Sequence, residues 1–225
     1  MKTVKILDFL NQLAANNTRD WFQDHKGDYQ MAMDQFVSVT AQIIDAIGAF
    51  DAEVAAADLD PRKCIMRIYR DVRFSKDKSP YKTNFFAFIN AQGKKSPQAG
   101  YFLNVEPGHS FLGAGIYMPE NKVLNDIRTA IRAQFSAWEK MVTAAPLTNN
   151  FADGVKPSGK LKKAPRGFDE TDPAIEYLRY KGFFTQRMLA DAEFVAADFV
   201  SRFTPAWQSC YDLVHFLNRA IAAGK

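Results

Sequence analysis

The apolar residues of this chain change their period twice, and that change limits the fold classes open to it. Ile6, Leu7, Leu10 and Leu13 recur at helical spacing. Asn16-Asn17-Thr18 breaks that helix and offers a cap for the next. Trp21, Phe22, His25, Tyr29, Met33, Phe36, Val37, Thr40, Ile43, Ile44 and Ile47 then predict one long amphipathic helix, bent near Gly27 and ending by Gly48. A polar, Ala-rich stretch over 51–60, a short helix or a connector, leads to Asp60-Pro61, a turn or an N-cap followed by proline at the first helical position. From Cys64 the period is two: Met66, Ile68, Val72 and Phe74 alternate with Arg67, Tyr69, Asp71 and Arg73, which predicts a first strand. Further strands are expected over 83–90, 100–106 and 111–117, with turns at 92–97 and at Pro107-Gly108. Gly113 and Gly115 mark a bulge or a close backbone approach in the last of these. Helical spacing returns after Pro119, in Val123, Leu124, Ile127, Ile131, Phe135, Trp138, Met141 and Val142. An exposed loop or short hairpin over 151–163, a short helix over 174–180 behind Asp172-Pro173, an edge strand over 182–188 and a helix over 191–203 follow, and Thr204-Pro205 is expected to cap the last helix. The chain therefore reads as an α+β fold, one domain over 1–225, with a small antiparallel sheet of about four to six strands packed with N-terminal and C-terminal helices.

A chain of 225 residues with 47% apolar content and 19 Phe can bury a core without staples. The first eight residues hold no apolar leader segment, and no run approaches the roughly 18 apolar residues of a membrane span. A soluble cytoplasmic protein without membrane contact is expected. Cys64 and Cys210 lie in apolar contexts at no metal-ligand spacing, so both read as buried free thiols. No metal cluster, catalytic triad order or phosphate-cradling glycine loop is recognisable, and no cofactor is specified.

Charge is concentrated in one place. The formal net charge is +4, yet residues 62–95 carry ten cations against Asp71 and Asp77, about +8, leaving about −4 for the remainder. The densest part is 67–82, where Arg67, Arg70, Arg73, Lys76, Lys78 and Lys82 surround Tyr69, Asp71, Ser75, Asp77 and Tyr81. These eleven residues form the candidate ligand site. In strand register Arg70 falls on the apolar side, where an unpaired guanidinium costs several kcal/mol. Asp71 points to the opposite face of an ideal strand. The partner is then a carboxylate elsewhere (Glu106, Asp20 or Asp24) or a bound phosphate or carboxylate, which guanidinium forks grip bidentately. Ser75 has no visible base to activate it and reads as a turn hydroxyl. So many cations keep Asp71 and Asp77 ionised, which suits ion pairing or metal binding better than acid catalysis.

The run Arg67-x-Tyr69-Arg70-Asp71-x-Arg73-Phe74-Ser75-Lys76-Asp77-Lys78-x-Pro80-Tyr81-Lys82 resembles the signature of an uncharacterised family of bacteria and fungi, catalogued as a domain of unknown function. Asn16-Asn17-Thr18-Arg19-Asp20-Trp21-Phe22, Gly113-x-Gly115-Ile116-Tyr117-x-Pro119, Leu161-Lys162-Lys163-Ala164-Pro165-Arg166-Gly167-Phe168 and Leu178-Arg179-Tyr180-Lys181 are similar to secondary segments of the same family. The resemblance runs the length of the chain and implies where a site lies, without implying an activity.

Arg19, Trp21, His25, Lys162, Arg166 and Lys181 form a secondary set of candidate positions. The preferred function is binding, with processing as an open addition, of a phosphate-bearing or other anionic small molecule. A nucleic-acid-binding module, stacking bases on Tyr69, Phe74 and Tyr81, is the first alternative. A structural or interaction domain with an internal ion-pair network is the second. Whether the protein is an enzyme is open.

Overall fold

The computed structural model describes residues 4–224. The order of elements is α1 (Val4–Ala15), α2 (Arg19–Asp24), α3 (Lys26–Gly48), α4 (Ala52–Ala56), α5 (Pro61–Cys64), β1 (Phe85–Ile89), β2 (Gly100–Val105), β3 (Ser110–Ile116), α6 (Asn121–Ala133), α7 (Phe135–Val142), α8 (Ala145–Asn150), α9 (Ile175–Leu178), β4 (Phe183–Leu189), α10 (Asp191–Val195), α11 (Phe199–Gln208) and α12 (Tyr211–Ala223). The strands form one four-stranded antiparallel sheet in the order β1-β2-β3-β4, with β4 on an edge. The fold is α+β. No helix of the described residues is long and apolar enough to cross a membrane. Both cysteines are free and buried.

The chain packs as two compact units. The first runs through Lys94 and takes in Phe102–Leu112 and Met188–Thr204; the second comprises Lys95–Tyr101, Gly113–Arg187 and the chain from Pro205.

In the first unit Ile6, Leu10 and Leu13 of α1 and Phe36, Ile43 and Ile47 of α3 are buried, as the helical period requires. On β1 the period of two sends Phe85 to the helices, 6.3 Å from Phe9 and 5.4 Å from Phe36 by ring centroids, and Phe86 to the other face, 5.9 Å from Phe102. Thr18 caps α2 through Trp21 N at 3.3 Å, and Asp60 caps α5 through Arg62 N at 2.9 Å with Pro61 behind it. The long N-terminal helix is divided at His25, two residues before the expected bend. The His25 ring nitrogen lies 2.9 Å from the Trp21 carbonyl, which also receives the His25 backbone N–H at 3.0 Å, and the ring stacks on Trp21 at 4.1 Å. The side chain thus draws on a carbonyl of the helix itself and turns the backbone out of helical register.

In the second unit Trp138 of α7 is fully buried, with ring centroids 5.6 Å from Phe183 and 5.1 Å from Phe216. Asn218 of α12 grips the backbone of Ala99 in both directions, accepting from its N–H at 2.8 Å and donating to its carbonyl at 3.3 Å. Burial pushes the Cys210 thiol up to about 12 despite its bond to Thr185. Thr204-Pro205 does not start the last helix: Pro205 lies inside α11, the chain breaks after Gln208, and α12 begins at Tyr211. Thr204 sends its hydroxyl to the Val200 carbonyl at 2.7 Å, serving the helix from within rather than capping it.

Gly115 is the close approach that its position suggested. It sits at φ +127°, and a Cβ there would stand 2.2 Å from the Phe183 carbonyl oxygen. Gly115→Ala is expected to destabilise the fold by about 3 kcal/mol or more, since backbone strain and overlap combine. Gly108→Ala, at φ +71° in open space, is expected to cost only about 1 kcal/mol. Urea unfolding of both variants checks the contrast.

Candidate functional site

The cationic stretch does not form the strand that its alternation predicts. It is an irregular hairpin excursion before β1. Its arms are stitched by Met66 N–H to the Phe86 carbonyl (2.8 Å), Lys82 N–H to Ile68 (2.8 Å) and Arg70 N–H to Pro80 (2.9 Å). Isolated bridges join Ile65 with Ala87 and Tyr69 with Tyr81. Beyond Arg70 side chains replace the ladder. Asp71 accepts from its own Arg73 N–H at 3.3 Å, and Asp77 from the Ser79 N–H at 2.9 Å, two turns closed by an aspartate on the residue two places on. Lys78 donates to the Val72 carbonyl at 3.0 Å across the excursion.

The partner of Arg70 is Asp77, and none of Glu106, Asp20 or Asp24. The Arg70 side chain is 27% exposed, so the apolar-face reading overstated its burial. One guanidinium nitrogen donates to Asp77 Oδ2, the other to Ser75 Oγ at 3.5 Å. Two Ser79 bonds, followed by that of Arg70, hold the Asp77 carboxyl far below the usual carboxylate range. Arg73 forks onto Asp71, Nε to Oδ1 at 2.9 Å and Nη2 to Oδ2 at 2.6 Å; this lowers the Asp71 carboxyl and raises the guanidinium. Glu106 instead receives the Thr83 hydroxyl at 2.7 Å.

Among the described residues no carboxylate pairs with Arg67 or Lys82. Lys82 is half-buried, and that burial, with the like charge of Arg67 added, pushes its ammonium below the usual lysine range. Beside it lies a cavity of about 360 Å³, built wholly within the first unit. Arg70, Asp77 and Lys82 supply its charges, Asn17, Ser79, Thr83 and Asn84 its neutral polar groups, and Ala14 and Tyr81 its apolar wall.

Of the eleven candidate ligand residues, Arg70, Asp77, Tyr81 and Lys82 line this cavity. Arg67, Tyr69, Asp71, Arg73, Ser75, Lys76 and Lys78 are not among the lining residues, and Arg73 and Lys76 are exposed. Tyr81 is only 3% exposed, its ring stacked on Phe22 at 4.0 Å, so it has no free face for a base. In the secondary set, Trp21 and His25 stack on each other, and Arg19 is exposed on α2. Lys162, Arg166 and Lys181 are exposed in the second unit, around a clasp in which Lys160 and Arg179 both hold Glu176, at 2.5 and 2.9 Å, and Arg179 also holds Glu170. Among the described residues no group of His, Cys, Asp or Glu is arranged to hold a metal ion.

Five cavity residues lie outside the candidate set: Ala14, Asn17, Ser79, Thr83 and Asn84. Asn17 is the most consequential. Its Nδ2 donates to the Tyr81 carbonyl at 2.9 Å and its Oδ1 accepts from the Tyr81 N–H at 3.1 Å. The asparagine pair before the Thr18 cap was the available signal, and it read only as a helix break.

Asn17→Ala is expected to destabilise the protein by about 2–3 kcal/mol, since it strips two bonds from the Tyr81 backbone; chemical denaturation measures this. Both motif carboxylates are depressed by folded-state partners, so their support of the hairpin is present above the unfolded carboxyl range near pH 4 and is lost as pH falls through the folded values. Amide exchange at Ser79 should accordingly stay protected at neutral pH and lose protection only in strong acid, whereas Asp77→Ala should lose it already at neutral pH.

No curated protein and no solved structure matches the chain. A family model described as conserved hypothetical protein (DUF2461) matches residues 5–216. Cavity, hairpin and the Asn17 clasp all fall inside the matched span, and the chain belongs to that family.

Proposed function

We propose that this protein binds a phosphate-bearing or other anionic small molecule in the cavity beside Arg70 and Lys82. The observation that carries the proposal is Lys82: a half-buried ammonium on a concave wall, with Arg67 as a like-charged neighbour and no carboxylate among the described residues to neutralise it. Desolvation and like charge both disfavour such a cation, and an arriving anion relieves both. Arg70 adds a guanidinium with N–H groups left over after Asp77 and Ser75 are served. The volume falls in the usual range for small-molecule sites. Free, buried Cys64 and Cys210 support a reducing, cytoplasmic setting as part of the same reading.

A purely structural role accounts for two of the pairs, Arg70–Asp77 and Arg73–Asp71, but exposed pairs of this kind contribute little stability and leave Lys82 without a purpose. Phe74, 96% exposed beside Arg73, favours the nucleic-acid alternative on the outer side of the hairpin. Retention on single-stranded nucleic acid at low salt, abolished in Phe74→Ala and unaffected in Lys82→Met, would support that alternative instead.

Thermal unfolding in phosphate, pyrophosphate and nucleotide series tests the main reading. A ligand at a hundred times its Kd should stabilise by about 2.7 kcal/mol, a rise of a few degrees in Tm. Lys82→Met should leave the ligand-free Tm nearly unchanged and abolish the rise. A flat response across all these anions would overturn the reading.

A further inference from the structure

We infer that the ligand is a phosphomonoester whose organic part carries hydroxyl groups, a sugar or polyol phosphate rather than a nucleotide or a bare anion. This rests on the anion-binding reading and narrows it through the hydrogen-bond capacity that the cavity has left to offer.

The charged end is set by what the chain leaves unpaired. On the cavity wall Asp77 answers Arg70, while among the described residues Lys82 beside it has no carboxylate partner. A phosphate, with three terminal oxygens, can take Lys82 and the spare Arg70 N–H groups at once, which the two oxygens of a carboxylate do less fully.

The neutral end is set by where the wall's own protons already go. A carboxylate oxygen can only accept. Ser79 Oγ therefore donates its hydrogen to Asp77 Oδ1, at 2.6 Å, and Thr83 Oγ1 donates to Glu106 Oε1, at 2.7 Å. Asn84 spends an amide hydrogen on Asn104 Oδ1. What the two hydroxyls still offer is lone pairs, and Asn84 keeps its carbonyl oxygen beside one amide hydrogen. Each amide end of Asn17 gives one bond to Tyr81, which fixes its orientation. The wall is thus rich in unused acceptors, and a ligand that satisfies it must bring its own O–H donors. An alkyl phosphate brings none.

The cavity offers a base nothing to stack on. Tyr81 is its one aromatic residue, and that ring lies against Phe22 with Tyr69 5.4 Å away. A nucleobase attached to the sugar gains no contact from it.

Calorimetric titration of the intact wild-type protein with inorganic phosphate, propyl phosphate, glycerol phosphate, ribose 5-phosphate and adenosine monophosphate tests the inference. Glycerol phosphate and ribose 5-phosphate should bind about tenfold or more tighter than propyl phosphate, one good hydrogen bond being worth about that factor. Adenosine monophosphate should bind no tighter than ribose 5-phosphate. Thr83→Val should narrow the gap between glycerol and propyl phosphate, and Thr83→Ser should restore it. Equal affinities for propyl and glycerol phosphate would overturn the inference while leaving anion binding standing. So would an adenosine monophosphate affinity tenfold above that of ribose 5-phosphate. Failure of every phosphate to bind would overturn the anion-binding reading and the inference with it.

Discussion

One side-chain amide fixes the geometry on which the cavity depends. Asn17, in the linker between α1 and α2, gives its oxygen to the N–H and its nitrogen to the carbonyl of a single residue, Tyr81. An amide used this way behaves as one more rung of a sheet, and it pins the returning arm of the hairpin to the helices. The Tyr81 ring continues the anchor by stacking on Phe22. Lys82, Thr83 and Asn84 follow directly, so the direction in which three cavity residues leave the backbone is decided one residue before them. Thr83 and Asn84 are then braced from behind by Glu106 and Asn104. The wall is held at both ends, and that is the preorganisation a binding surface needs.

The electrostatics of the hairpin follow from a division of labour among its cations. Arg73 and Lys78 maintain the excursion itself, one through a bidentate fork onto Asp71 and the other through the Val72 carbonyl. Arg70 belongs both to the excursion and to the cavity. Among the described residues neither Arg67 nor Lys82 has a carboxylate partner, and their like charges repel. Of the two, Lys82 lies on the cavity wall and Arg67 is exposed outside it, so the proposal of a recognition site rests on Lys82.

Periodicity made most of the fold legible. The strands β1 to β4 and the helices before and after them follow apolar spacing, which burial dictates directly. The failures share a cause: polar side chains that bond to the local backbone. Residues 64–74 alternate like a strand, yet Asp71 and Asp77 each reach the N–H two residues on and divert the chain from a ladder. The Asp-x-Arg and Asp-x-Ser spacings were in the sequence and outweigh the alternation, since an aspartate turn forms locally whereas a ladder needs a partner strand. His25 and Thr204 act on helices in the same way. The motif pointed to the right part of the chain, but the cavity also needs Asn17, more than sixty positions from its partner, and no local pattern announces a pairing over that distance.

The contact between Arg70 and Asp77 has a consequence for selectivity. The guanidinium does not wait empty; it carries a carboxylate tethered seven positions away in the same chain. An anion reaching it must therefore compete with a resident group that is always at hand, and Ser79 holds that group in its acceptor role. Small singly charged ions such as chloride or acetate gain little by displacing an equivalent charge already in place. Under the anion-binding proposal the tether would act as a threshold, favouring over small monovalent anions those species with enough charge and enough further contacts to win the exchange.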